Sequence, residues 1–239
     1  DDRQGVNFEI LYRDDWLCAI DKPCGMMVHR SSRSTDSRFI MGLLRDQLGQ
    51  RVFPIHRLDR ATSGVLLFAL DSDTAGRLGQ QMMAREVGKR YLCVVRGHID
   101  DEGVIDHPLK AEGSGPEQEA VTEYRCLSRM ELPMPIGRYP TARYSLVEAH
   151  PRTGRMHQLR RHFKHLFHPM IGDTTYGEGR HNRLFRQHLS CHRMLLHASE
   201  LEVRHPISME PLQLQAPLSG EFERLVKKFF NFQYQGKSI

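Results

Sequence analysis

Residues 65–70 form an unbroken apolar run, Val-Leu-Leu-Phe-Ala-Leu, directly after His56-Arg57-Leu58-Asp59-Arg60-Ala61-Thr62-Ser63-Gly64. A short apolar stretch bounded by turn residues reads as a buried strand. The nine residues before it set one carboxylate among two arginines and a histidine. Opposite charges within ~4–6 Å keep a carboxylate ionised, which suits Asp59 to the role of base or nucleophile rather than acid. The same pattern also fits an Asp59 that only caps the turn ending in Thr62-Ser63-Gly64, because ion pairs of purely structural purpose perturb titration as well. Locally, both readings stand.

With 239 residues the chain is long enough to bury a sizeable core, and with neither an internal repeat nor a linker it reads as a single domain, residues 1–239. Nothing approaches the ~20 consecutive apolar residues of a membrane helix, and Asp1-Asp2-Arg3-Gln4-Gly5 is no signal peptide, so a cytoplasmic chain without membrane association is expected. The five cysteines, at 18, 24, 93, 126 and 191, are odd in number and contain no Cys-x-x-Cys pair. Neither a disulfide framework nor a thiolate zinc site is suggested. A net charge of +5, with basic residues concentrated between Arg152 and Arg193, favours a polyanionic partner.

Residues 8–12 and 16–21 read as a hairpin that delivers the chain to the turn Asp21-Lys22-Pro23-Cys24-Gly25; Lys22 and His29 either line a site or are simply solvated, and local sequence favours the solvated reading. Residues 38–48 show helical spacing and stop at Gly49. Asp73 is expected to cap a helix over residues 74–86 that ends at Gly88, with Met82 and Met83 as core filler. Lys89-Arg90 opens a strand over residues 91–95. Tyr91 can be half-buried with a wet hydroxyl, or a platform on which a base stacks for ~1–3 kcal/mol.

Residues 98–118, containing Gly113-Ser114-Gly115-Pro116, read as a polar surface excursion, and residues 120–127 and 143–149 as two strands. Residues 132–140 hold too many prolines for a central strand. After the turn His150-Pro151-Arg152-Thr153-Gly154-Arg155, residues 156–166 read as a basic amphipathic helix with Leu159, His162, Phe163 and Leu166 on one face and the cations on the others. A strand, a basic turn and a basic helix suit an RNA backbone; a solvated charged face fits too. His162, His165 and His168 lack a thiolate or carboxylate to complete a metal set, so no metal is assigned. Strands over residues 195–203 and 212–215 and a helix over residues 221–230 end the chain.

Four stretches together resemble the RluA-type pseudouridine synthases: Asp21-Lys22-Pro23-x-Gly25-x-x-Val28-His29; His56-Arg57-Leu58-Asp59-x-x-Thr62-Ser63-Gly64; Lys89-Arg90-Tyr91; and Arg152-Thr153-Gly154-Arg155-x-His157-Gln158-Leu159-Arg160-x-His162. The resemblance implies an α+β pseudouridine synthase fold, with a mixed, mainly antiparallel central sheet flanked by helices. It also implies that Asp59 is the catalytic aspartate, that Tyr91 stacks on the target base, and that Arg160 is the partner of Asp59. Arg57 would fill the space left by the flipped nucleotide, with His56, Arg152, Arg155 and Arg161 holding RNA. Gly137-Arg138-Tyr139-Pro140-Thr141-Ala142-Arg143-Tyr144 and His168-Pro169-Met170-Ile171-Gly172-Asp173 are similar to the branch of that family that modifies the uridine at tRNA position 65. The chain begins almost at the first catalytic strand, so no small S4-like domain is expected.

That chemistry exchanges a C1′–N1 bond for a C1′–C5 bond with no net oxidation, so neither cofactor nor metal is required. It does need a carboxylate that stays ionised while the glycosidic bond breaks, and a base taken out of its stack at a cost of a few kcal/mol. Basic groups hold phosphates without reading sequence, so specificity rests mostly on RNA shape. The expected partner is tRNA, bound by a monomer. An RluA-type enzyme acting on ribosomal RNA is the nearest alternative, followed by a non-catalytic RNA-binding protein.

Overall fold

The computed structural model describes residues 6–29, 38–111 and 115–232. Residues 1–5 and the pair Gly113-Ser114, both used in the sequence reading, lie outside the described residues. In chain order the first elements are β1 (Ile10–Arg13), β2 (Leu17–Lys22), α1 (Ile40–Leu48), β3 (Phe53–Pro54), β4 (Ser63–Ala69) and α2 (Ser72–Met83). Then follow β5 (Gly88–Arg96), β6 (Glu102–Asp106), β7 (Leu109–Lys110), β8 (Glu117–Gln118), β9 (Val121–Leu132) and β10 (Ala142–Pro151). The chain continues through α3 (Gln158–His165), α4 (Gly179–Leu189), β11 (Leu196–Arg204), β12 (Pro211–Gln215) and α5 (Gly220–Phe229). Contacts divide it into two compact units: residues 1–88 with 198–216, and residues 89–197 with 217–239.

In the first unit β4 lies between β2 and β11, with β3 also on β4 and β12 on β11. Every residue of β4 is buried, as its unbroken apolar run requires. Val65 and Leu67 join Leu17 and Ala19 of β2, Leu78 of α2, and Leu201, Val203 and Leu214 of β11 and β12 in one core. The hairpin of β1 and β2 turns on Asp14, whose Oδ1 accepts the backbone N–H groups of Trp16 and Leu17 at 2.8 and 2.7 Å. Helix α1 stops at Gly49, which takes the left-handed conformation at φ 71 and donates to the Arg45 carbonyl.

Helix α2 corrects three expectations. Its cap is Asp71, not Asp73: the Asp71 carboxylate accepts the Thr74 N–H at 2.8 Å and the Thr74 hydroxyl at 2.6 Å. A capping carboxylate bonds an N–H two or three residues on, which Asp71 satisfies and which leaves Asp73 in the first turn. The helix ends at Met83, and Gly88 opens β5 instead of closing the helix. Met82 packs against the core while Met83 is 78% exposed.

In the second unit β5, β10, β9 and β6 form an antiparallel run. One face, carrying Leu92, Val94, Tyr144 and Leu146, packs on Phe185 and Leu189 of α4 and on Phe222, Leu225 and Val226 of α5. A bulge at Leu127, where Leu146 pairs with Ser128 but Val147 with Cys126, reverses the alternation of β9. Before the bulge, Thr122 and Tyr124 therefore share the opposite face with Val147 and Ala149, and there the Tyr124 ring meets Phe163 of α3 edge-on. The excursion over residues 98–118 is more structured than expected, since β6 pairs with β9 and buries Ile105, and β7 pairs with β8. Helix α4 was not anticipated.

Candidate active site

Asp59, Arg57 and His56 belong to the first unit, and Tyr91, Arg152, Arg155, Arg160 and Arg161 to the second. Asp59 opens a turn in which its carbonyl accepts the Thr62 N–H at 3.0 Å. The turn is fixed from beneath by Lys22, which is 0% exposed and donates from Nζ to the carbonyls of Thr62 at 2.7 Å, Pro23 at 3.0 Å and Arg60 at 3.2 Å. The local reading of Lys22 as solvated is thereby corrected. A buried ammonium is tolerated only where acceptors replace its water, and three carbonyls do so. The loop and turn are also tied by Gly25 N–H to the Arg60 carbonyl at 2.8 Å and by Arg60 Nε to the Gly25 carbonyl at 2.9 Å.

Gly64 ends the turn at φ 112, and a Cβ there would lie 2.1 Å from the Ala198 carbonyl oxygen. Only glycine fits so close a backbone approach, which explains why the turn closes on Thr-Ser-Gly. His56 accepts the Leu67 N–H on Nε2 at 3.2 Å, pinning the segment before Asp59 to β4. Arg57 is exposed and its Nη1 reaches His29 Nε2 at 3.4 Å.

In the second unit the residues before α3 are locked by side chains. Thr153 accepts the Val121 N–H at 3.0 Å and donates to Gln158 Oε1 at 2.7 Å. Gln158 also accepts the Arg155 N–H and donates from Nε2 to the Val121 carbonyl and Thr122 hydroxyl, all at 3.0 Å. The Thr122 hydroxyl also lies 2.9 Å from His162 Nδ1, and His162 Nε2–H donates to the His107 carbonyl at 3.0 Å. Burial, the largest influence, lowers its pKa.

Arg160 is buried, not on a solvated face as the helical pattern suggested. Its Nε and Nη2 donate to Oδ2 and Oδ1 of Asp173 at 2.7 and 2.8 Å, and its guanidinium lies 5.1 Å from the centre of the Tyr176 ring. Asp173 Oδ1 also accepts the N–H groups of Thr175 and Tyr176 at 2.8 and 3.0 Å. Burial pushes the Asp173 carboxyl upward, but the bonds from Arg160 and the two amides outweigh it and hold the group below its ordinary value. Asp173 lay within a quoted stretch without a role; its signal was a lone acid after Ile-Gly, in a segment otherwise rich in cations.

Arg152 makes a two-pronged bond to Glu123 at 2.9 and 2.5 Å. Arg155 Nε donates to the Glu119 carbonyl and Arg161 Nη1 to the Lys110 carbonyl, both at 2.9 Å. Tyr91 lies on β5 opposite Ala149, on the sheet face that carries α3. The histidines at 162, 165 and 168 have separate partners: Thr122 and the His107 carbonyl for the first, the stacked His107 ring for the second, and the Arg96 carbonyl for the third. No cluster of three potential metal ligands occurs among the described residues, nor is any helix there long and apolar enough to cross a membrane.

Comparison with known proteins agrees with this architecture. A tRNA pseudouridine synthase C of Vibrio cholerae is 48% identical over 232 residues, 92% of this chain and 95% of that protein. That of Haemophilus influenzae is also 48% identical over 232 residues, covering 92% and 97%. The solved structure of human RNA pseudouridylate synthase domain containing 1 superposes with a TM-score of 0.72 at 28% identity, over 91% of this chain and 86% of that one. The family described as RNA pseudouridylate synthase matches residues 17–165, so the turn that carries Asp59 and the helix that carries Arg160 fall within it, and the chain belongs to that family.

Proposed function

We propose that the chain is a tRNA pseudouridine synthase that isomerises the uridine at position 65, using Asp59 as its nucleophile or base and requiring no cofactor. The observation that carries this reading is the Asp59 turn, braced by a buried lysine on three carbonyls and closed by a glycine that admits no side chain. Such bracing keeps a reacting group within the narrow tolerance that catalysis needs. Similarity over 92% of the chain, at 48% identity, to proteins named tRNA pseudouridine synthase C supports tRNA as the substrate class.

In this reading Asp59 attacks the sugar or the base of the flipped uridine, or removes a sugar proton, while the C1′–N1 bond breaks. The uracil turns and C1′–C5 forms as the bond to Asp59 breaks or the sugar proton returns; the C5 proton is then released and N1 takes up a proton. Tyr91 stacks on the base and Arg160, held by Asp173, serves the catalytic carboxylate. Arg57 fills the vacated place in the RNA, and His56, Arg152, Arg155 and Arg161 support the RNA-binding surface. The test is tritium release from C5-labelled uridine in tRNA and in ribosomal RNA transcripts, followed by mapping of the modified position. Release from tRNA with the product at position 65 is expected; release from ribosomal RNA alone would overturn the substrate assignment.

A further inference from the structure

Lys89 and Arg90 are neighbours on β5, and their side chains meet different surroundings. Arg90 lies beside Glu148, with Nε 3.6 Å from Oε2. Lys89 points to the other face by strand alternation, the face that Tyr91 also uses two residues on. There it is half-buried, and the described residues supply its ammonium with neither a hydrogen-bond nor an ion-pair partner. Burial alone accounts for a lowered Lys89 pKa, with no carboxylate contributing. Arg152 and Arg155 in the turn after β10 and Arg161 of α3 are engaged by Glu123 and by the Glu119 and Lys110 carbonyls. Lys89 differs from all of them.

Gly154 gives a second, independent observation. Its backbone lies outside the left-handed region, and a Cβ built on it meets a single atom within 4 Å, Lys89 Nζ at 3.7 Å. Neither backbone conformation nor crowding therefore calls for glycine. What a larger side chain would do is lie over the ammonium. A cation kept partly out of water without a counter-charge, under a glycine that leaves it open, has the properties of an anion site.

We propose that Lys89, uncovered by Gly154, binds a phosphodiester group of the RNA strand that carries the target uridine. This rests on the reading of the chain as an RNA-modifying enzyme and names one backbone contact. An ammonium suits the task, since it donates in three directions to phosphate oxygens and positions the strand without reading sequence.

The test measures binding of a tRNA transcript and tritium release by the full chain between 50 and 200 mM salt, for wild type, Lys89→Met, Lys89→Arg and Gly154→Leu. Loss of one phosphate contact lowers the slope of log affinity against log salt by about 0.7–0.9. Lys89→Met is expected to show that change with about tenfold weaker binding, and Lys89→Arg to keep the wild-type slope. Gly154→Leu keeps the lysine but covers it, and is expected to behave as Lys89→Met, so the proposal remains testable if removal of Lys89 impairs folding. Tritium release with an unchanged slope in both Lys89→Met and Gly154→Leu would overturn the phosphate site and leave the isomerase reading intact. A lysine-dependent slope in a wild-type chain that releases no tritium would support the site and overturn that reading.

Discussion

The guanidinium of Arg160 grips the carboxylate of Asp173 with two parallel bonds, at 2.7 and 2.8 Å, in a pocket where Asp173 is 1% exposed. Removing one partner of a buried pair strands the other charge and costs about 3–5 kcal/mol. Asp173→Ala is therefore expected to lose stability of that order in urea unfolding, and to lose activity through a misplaced Arg160. A midpoint within error of wild type would show that the pair is solvated.

Lys22 predicts a different balance of effects. Lys22→Met removes the Nζ donor from three inward carbonyls, of which that of Arg60 keeps the Gly25 N–H, and each buried group left unsatisfied costs about 1–3 kcal/mol. Because those carbonyls belong to the Pro23 loop and the Asp59 turn, turnover should fall about a hundredfold even at temperatures where the variant stays folded. Circular dichroism melting together with single-turnover rates separates the two.

Two glycines give opposite expectations. Gly64→Ala places a methyl 2.1 Å from the Ala198 carbonyl at φ 112, so it should destabilise by more than about 4 kcal/mol. Gly76, at an exposed position of α2, has nothing within 4 Å of a built Cβ. Gly76→Ala should stabilise by about 0.5–1 kcal/mol. Denaturant midpoints of the two variants check both signs.

Stability should fall on mild acidification. His162 and His181 both have pKa values lowered chiefly by burial, below the ordinary histidine value of about 6.5. The unfolded chain then binds more protons than the folded one, so their contribution is complete above about pH 6.5 and is lost as pH falls through the folded values. Unfolding free energy measured at pH 7 and pH 5 should drop, and the drop should shrink in His162→Gln.

The elements visible in the sequence were those with an uninterrupted period. The apolar run after Gly64 became the fully buried β4, and Gly49 ended α1 as expected. Where the pattern broke, the boundaries moved. Residues 120–127 looked like a complete strand because a bulge at Leu127 reverses the alternation, and β9 runs on to Leu132. Helix α4 was hidden because its apolar residues Leu184, Phe185 and Leu189 are outnumbered by polar and charged ones.

Within the candidate site, the family resemblance marked Asp59, Arg160 and Tyr91 but not what holds each in place. Arg160 and Lys22 read as solvated because a cation's burial depends on acceptors from distant segments, Asp173 for one and the Asp59 turn for the other. Thr153 and Gln158 were quoted as motif residues, and their bonds to β9 appear only once the turn is folded against that strand.

The most direct test of the account is Asp59→Asn, assayed for tritium release from C5-labelled tRNA beside filter binding of the same tRNA. The substitution removes the charge and nearly preserves the shape. Release should fall to the uncatalysed background while binding stays within about threefold of wild type, because the phosphate contacts are left in place. Substantial tritium release by Asp59→Asn would contradict the assignment of Asp59 as the reacting carboxylate.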